Sequence, residues 1–160
     1  MVSSSSSLSG TQVLVTGGAG FIGSNLVEQL VKEGARVRVL DNFTRGIQAN
    51  LANVRDEVEV VEGDLLDADA LDRAVKDTEV IFHQAAVVSV PYSVQNPTHT
   101  TEVNVVGTLG LLIAARDADV RRMVSQSDLD PMTTPTSSRV SFMARACMRG
   151  LAGSRVRIRE

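Results

Sequence analysis

Two rhythms of apolar residues take turns along the first 124 positions. QVLVT (Gln12 to Thr16) is a short β-branched run bounded by glycine, which reads as a buried strand. Beyond it Leu26, Val27, Leu30 and Val31 recur at helical spacing, and Gly34 stands where a helix C′ residue stands. ARVRVLD (Ala35 to Asp41) alternates and ends in an acid, a second strand. Asn50 to Val54 reads as a short helix, and VEVVEGDL (Val58 to Leu65) as a third strand. Asp67 to Asp77 places Leu71, Ala74 and Val75 on one helical face ahead of a fourth strand, EVIFHQAA (Glu79 to Ala86). A loop with Pro91 and Pro97 leads into a long helix from about Thr98 to Ala118. Its expected core face is Val103, Val106, Leu109, Leu112 and Ile113, with Gly107 and Gly110 admitting close packing. Arg121 to Val124 opens a fifth strand.

Strands alternating with helices over short connections predict an α/β fold, a doubly wound parallel sheet with right-handed crossovers. Residues 10–124 form this domain, and the pattern stops after about the fifth strand. In such sheets the ligand crevice lies beyond the carboxyl ends of the strands. The glycine-rich turn after Thr16, then Asp41, Asp64 and the residues after Phe82 all fall on that edge.

The turn is TGGAGFIG, with Gly17, Gly20 and Gly23 at intervals of three between a strand and a helix. A helix N-terminus presents free N–H donors and partial positive charge, which suits a phosphate. Glycines let the backbone turn sharply, approach a pyrophosphate and pack the helix against the strand. Asp41, 18 residues past Gly23, closes the next strand, where a carboxylate can accept hydrogen bonds from both ribose hydroxyls of an adenosine. It would repel a 2′-phosphate, so NAD is favoured over NADP, a preference that nearby Arg45 softens. The rival phosphate loop needs a lysine that this turn lacks.

Composition changes this picture little until the end of the chain. The 160 residues suit one domain, 43% of them apolar and 22% charged. A net charge of −3 points away from nucleic acid and from anionic membranes as partners. No apolar run approaches a membrane span. MVSSSSSLSG has neither a basic n-region nor an apolar h-region, so residues 1–9 read as a disordered lead-in rather than a signal peptide. A single cysteine, Cys147, supplies neither an internal disulfide nor a structural zinc site, and a cytoplasmic setting is the default. Near position 125 the chain changes character. Residues 125–160 hold 6 arginines against Asp128, Asp130 and Glu160, whereas the preceding 124 hold 10 basic and 16 acidic side chains.

Other polar residues have two readings each. Asp64 fixes an adenine edge together with the backbone of Leu65, or caps a helix. Ala85 and Ala86 are small where a cofactor would run past the fourth strand, or small for packing. Asn104, on a helix facing the sheet, needs partners, and both the strand-four loop and a cofactor are within its reach. His83 reads as a satisfied core histidine, and His99 as a surface residue.

TGGAGFIGSNLVEQL, VLDNFTRG, VEGDL, FHQAAVVSVPYSVQNP and EVNVVGTLGLLIAAR, in this order, resemble the NAD-dependent epimerase/dehydratases, extended short-chain dehydrogenase/reductases that act on nucleotide sugars. The likeness runs from about Gln12 to Val124 and is nearer to UDP-sugar 4-epimerases than to dTDP-glucose 4,6-dehydratases. It implies a Rossmann-like domain in which Gly17, Gly20, Phe21 and Ile22 hold the pyrophosphate, with Gly23 closing the turn. Asp41 and Asn42 would hold the adenosine ribose, and Asp64 and Leu65 would flank the adenine. Gln84, Ala85, Ala86 and Asn104 would line the path to the nicotinamide, and Ser89 and Val90 would approach the sugar. In the family, NAD takes a hydride from C4 of the sugar and returns it to the other face after the ketone rotates.

That chemistry uses a tyrosine base tuned by a lysine four residues on, aided by a serine or threonine. Here the only tyrosine, Tyr92, is followed at that spacing by Asn96, and the last lysine is Lys76. Ser125 and Ser127 are near the right place, but SQSDLDPMTTPTSSRVSFMARACMRG then loses the pattern. Losing one acid–base group costs about 10²- to 10⁴-fold in rate, so no epimerase turnover is expected of this chain alone. The tail looks like coding sequence read in a wrong frame, a reading that a YxxxK in a shifted frame of the gene would support. Alternatively it is a divergent extension whose residues Met143 to Leu151 form an amphipathic helix over the open sheet edge. Three functional classes follow: the cofactor half of an epimerase, a silent dinucleotide-binding module that can associate through its open edge, and an enzyme completed by a second polypeptide carrying the Tyr–Lys half.

Overall fold

The computed structural model describes residues 8–125. Ser3 to Ser7 and the arginine-rich tail beyond Ser125, with Cys147, lie outside them. The five expected strands form in order: β1 (Gln12–Thr16), β2 (Arg36–Asp41), β3 (Val58–Glu62), β4 (Val80–His83) and β5 (Arg122–Ser125). All pairings are parallel, in the order β3-β2-β1-β4-β5. Crossovers from β1 run one way to β2 and β3, then jump back past β1 to β4. The switch point therefore lies between the carboxyl ends of β1 and β4.

Each face of the sheet buries one apolar layer. Val13, Val15, Val37, Val39 and Phe82 meet Leu26, Val27 and Leu30 of helix α1 (Phe21–Lys32) and Leu51 and Val54 of a 3₁₀ segment, Gln48–Glu57. That segment occupies the place of the expected short helix. Helix α1 ends at Gly34, which adopts φ +80° and donates its N–H to Val31 O at 2.9 Å. On the opposite face Leu14, Leu40 and Ile81 meet Leu71, Ala74 and Val75 of α2 (Ala68–Val75) and Leu111, Ala114 and Ala115 of α5 (Thr108–Asp117). Asp67, not Asp64, caps α2, its carboxylate accepting the amides of Asp69 and Ala70. Two short helices, α3 (Val90–Gln95) and α4 (Pro97–Thr101), follow the loop after β4.

The long helix differs from expectation. It runs from α4 through a π segment, Glu102–Gly107, into α5. Of the expected core face only Val103 packs inward. Val106, Leu109, Leu112 and Ile113 stay 54%, 54%, 39% and 44% exposed, and Leu111, Ala114 and Ala115 are buried instead. Apolar residues encircle this helix, so periodicity could not choose a face. Close approach does: a Cβ on Gly107 would stand 2.8 Å from Leu65 Cβ, and one on Gly110 3.2 Å from Leu71 Cδ1. The side with the small residues is the one that can lie on the neighbouring layer.

Candidate dinucleotide site

At the end of β1 the chain enters a left-handed turn, with Gly17 at φ +68° and its N–H donating to Leu40 O at 2.8 Å. A Cβ on Gly17 would lie 2.8 Å from the backbone of Ala85, so the turn abuts the loop leaving β4. One on Gly23 would strike the carbonyl of Gly17, which is why α1 can rest directly on the turn. Gly20 differs: the nearest atom to its Cβ position is Gly17 O at 3.2 Å, and its other sides are open. Gly20 is also the N-cap of α1, contributes no side-chain bond, and no acid stands in the first turn. The partial positive charge at the start of α1 is thus offset by neither a capping side chain nor an acid of its first turn. Phe21 projects outward and Ile22 is half-buried.

Asp41 enters this turn from β2. Its Oδ2 accepts the N–H of Ala19 at 2.9 Å and its Oδ1 that of Phe43 at 2.9 Å, in a buried position. Each carboxylate oxygen keeps a second lone pair for a hydroxyl donor. The loop after β2 then folds over the turn, with Ile47 N–H and Asn50 Nδ2 both donating to Ala19 O, at 3.2 and 2.8 Å. Gly46 packs so closely on Asp41 and Ala19 that a Cβ would stand 2.8 Å from both. No sequence pattern marks Ala19, Gly46 or Asn50 for this site. The one available signal was the glycine of NFTRG, which reads equally as an ordinary loop residue.

Asn42 and Asp64 come together across the strand ends, Asn42 Nδ2 donating to Asp64 Oδ2 at 2.6 Å. The other carboxylate oxygen of Asp64 accepts the Leu66 amide at 2.9 Å, an Asx turn that sets the backbone of buried Leu65. Arg45 is exposed.

The loop after β4 is tied down at several points. Gln84 N–H donates to Thr16 O at 3.0 Å and Ala85 N–H to Thr16 Oγ1 at 3.3 Å. Asn104 takes the loop as its partner: Val87 N–H donates to its Oδ1 at 2.8 Å, and its Nδ2 donates to Val87 O at 3.0 Å. Ala86 is exposed beside these bonds. Gln84 Nε2 is buried with no hydrogen-bond partner among the described residues, a free donor one residue from the contact with the glycine turn. His83 is a satisfied core histidine, its nitrogens bonded to Thr16 and Thr108, and burial lowers its pKa. Ser89 caps α3 by accepting the Tyr92 amide, while Val90 and His99 are exposed. Tyr92 packs edge-on against His99, with ring centroids 6.2 Å apart.

The structure thus gathers the glycine turn, Asp41 and the Gln84–Val87 loop around the switch point, with the Asn42–Asp64 pair farther along the same edge. An extended ligand with an anionic centre fits this edge: the open side of Gly20 and the α1 N-terminus suit phosphate, and the buried acid suits a ribose. This is the site of a doubly wound, dinucleotide-type domain.

Known proteins agree with that class. The family model described as GDP-mannose 4,6 dehydratase matches residues 14–128. A UDP-glucose 4-epimerase of Mycolicibacterium smegmatis is 46% identical over 119 residues, 72% of this chain and 38% of that protein. A dTDP-glucose 4,6-dehydratase of Mycobacterium tuberculosis is 40% identical over 113 residues, 69% of this chain and 34% of the relative. Among solved structures, the Thermus thermophilus UDP-glucose 4-epimerase in complex with NAD superposes with a TM-score of 0.68 at 34% identity, covering 89% of this chain and 50% of that one. The chain belongs to the NAD-dependent epimerase/dehydratase family, and it spans about a third of the length of the curated relatives it matches.

Proposed function

We propose that residues 10–124 are the NAD-binding half of a nucleotide-sugar epimerase-like protein, and that this chain binds NAD without turning over a sugar by itself. The observation that carries the reading is Asp41 held inside the glycine turn at the switch point of the sheet. Gly17, Gly20, Phe21, Ile22 and Gly23 bind the pyrophosphate through backbone N–H groups. Asp41 and Asn42 take the adenosine ribose, and Asp64 and Leu65 border the adenine. Gln84, Ala85 and Ala86 line the way to the nicotinamide, with Asn104 holding their loop. Ser89 and Val90 stand on the sugar side. NAD, when bound, supplies a hydride acceptor.

Inactivity alone rests on the missing pair: no tyrosine in this sequence is followed four residues later by lysine. Residues 125–160 are a divergent tail outside the catalytic pattern, whereas the lead-in expected over residues 1–9 is corrected at its end: Leu8 packs against the core and accepts the Thr11 N–H at 2.9 Å. A cytoplasmic setting is part of the same proposal. Among the described residues no helix is long and apolar enough to cross a membrane. The exposed apolar residues of the long helix, and β5 standing at the sheet edge among the described residues, support self-association. A second reading, a relative of the nucleotide-sugar 4,6-dehydratases, is supported by the description of the matching family model.

The test is calorimetric titration of the purified chain with NAD, followed by assay of C4 epimerisation of UDP-sugars. Saturable binding weakened by Asp41→Ala, with no turnover, is expected. Turnover by the chain alone overturns the inactive reading. Turnover only after adding a separately expressed C-terminal segment of an intact relative shows that the chain is one half of an enzyme. Absence of binding overturns the cofactor role.

A further inference from the structure

The strand-four loop and the glycine turn are joined through one imidazole. Thr108 Oγ1 donates to Asn104 O at 2.8 Å, so toward the ring it can only accept, and His83 Nε2 at 3.0 Å must carry the proton. At the other end Thr16 Oγ1 accepts the Ala85 N–H at 3.3 Å. Its hydroxyl proton is then free for His83 Nδ1, 2.7 Å away. The directions close without conflict in one tautomer only: Ala85 N–H to Thr16, Thr16 O–H to Nδ1, Nε2–H to Thr108, and Thr108 O–H to the carbonyl of Asn104. Asn104 in turn grips both backbone groups of Val87, so the chain of bonds returns to the loop where it began. Thr16 and His83 are buried, and each is the residue that precedes a site loop, Gly17 on one side and Gln84 on the other.

We propose that His83 is a positioning residue of the dinucleotide site, which as the neutral Nε2–H tautomer locks the glycine turn of β1 and the Gln84–Val87 loop to the Asn104 helix in one geometry. A lone hydroxyl or amide could not replace it, because the task needs an acceptor and a donor on opposite sides of one rigid ring. The role rests on the reading of this edge as a dinucleotide site.

The test uses the full chain and two measurements. Nitrogen-15 NMR of the imidazole is expected to show His83 protonated at Nε2 and bare at Nδ1 at neutral pH. NAD titration is expected to give about tenfold weaker binding for Thr108→Val, the size of one hydrogen bond, with Thr108→Ser restoring it. An Nδ1–H tautomer or a charged imidazole overturns the proposal, and this readout needs no variant to fold. Thr108→Val binding NAD as tightly as the parent overturns it too, as does an equal loss in Thr108→Ser. If the parent chain binds NAD with these variants unaltered, only the positioning role fails. If the parent binds none, the dinucleotide reading fails and takes the proposal with it.

Discussion

The carboxylate of Asp41 accepts the backbone amide of Ala19 at 2.9 Å, which places the acid ending β2 inside the turn that follows β1. This bond gives Asp41 two tasks, one in the fold and one toward a ribose. Asp41→Ala removes both. NAD binding is expected to weaken by 10- to 100-fold, on the order of a charge-assisted hydrogen-bond pair. Asp41→Asn keeps one carbonyl oxygen for a backbone amide but presents a donor where an acceptor is needed, so it should recover stability better than affinity. Urea denaturation alongside calorimetry separates the two, and equal recovery of both would show that Asp41 serves the fold alone.

Two left-handed glycines allow strain to be separated from crowding. Gly10 (φ +76°) has nothing within 4 Å of its Cβ position, whereas Gly17 (φ +68°) has the Ala85 backbone at 2.8 Å. Gly10→Ala should cost about 1–2 kcal/mol, the left-handed penalty alone, with NAD binding intact. Gly17→Ala adds a collision with main chain that cannot move without opening the switch point. It should cost at least about 2 kcal/mol and abolish binding. Equal stabilities by urea melts would mean that the β1 turn and the β4 loop are not in contact.

The strands and the glycine turn were legible in the sequence because each depends on short-range pattern, and the parallel pairing because strands alternate with helices over short connections. Val13 and Val15 against Leu14 and Thr16 sort onto two faces by strand alternation alone. The long helix was misread because Leu109, Leu112 and Ile113 are as apolar as the face that is buried, and only the lack of side chains at Gly107 and Gly110 decides. In the site, Asp41 and the glycines carried a spacing signal. The Ala19–Asp41 bond, the packing of Gly46 on Ala19, the bonds of Thr16 to His83 and Ala85 and the bond of Thr108 to His83 carried none, since they join residues 22 to 69 positions apart in the chain. Two open readings meet particular contacts: Asn104 bonds the Val87 backbone, and Asp64 leaves the cap of α2 to Asp67 and bonds Asn42 and the Leu66 amide.

Arg38 illustrates how burial, rather than ion pairing, sets the value of a charge. Its Nη1 donates to Ala74 O at 2.9 Å and Lys76 O at 2.6 Å, the carbonyls at the end of α2. Its Nε pairs with Glu59, whose side chain is 59% exposed. Replacing the exposed partner, Glu59→Gln, should change stability by less than about 1 kcal/mol. Arg38→Met keeps the apolar stem and strands the carbonyl acceptors, at about 1–3 kcal/mol. Urea melts of the two variants should therefore rank in that order, and a larger loss in Glu59→Gln would assign the stability to the salt bridge instead.

Stability should also fall in mildly acidic solution, with a part that traces to His83. Its ordinary pKa is 6.5, and burial lowers it in the fold. Above pH 6.5 the imidazole is neutral in folded and unfolded chains alike, and it contributes no slope. Below 6.5 the unfolded chain takes up a proton that the fold resists, so the unfolded state binds more protons and stability drops as pH falls. The drop continues to the lower native pKa and then levels. Carboxylates add their own loss at more acidic pH, so the informative quantity is a difference between chains. His83→Gln removes the titrating ring while leaving an amide to bond Thr108, and its stability curve from pH 7.5 to 5 should be flatter than that of the parent. Parallel curves over this window would mean that His83 is charged, or free to become so, in the folded chain, and the neutral ring between Thr16 and Thr108 would have to be abandoned.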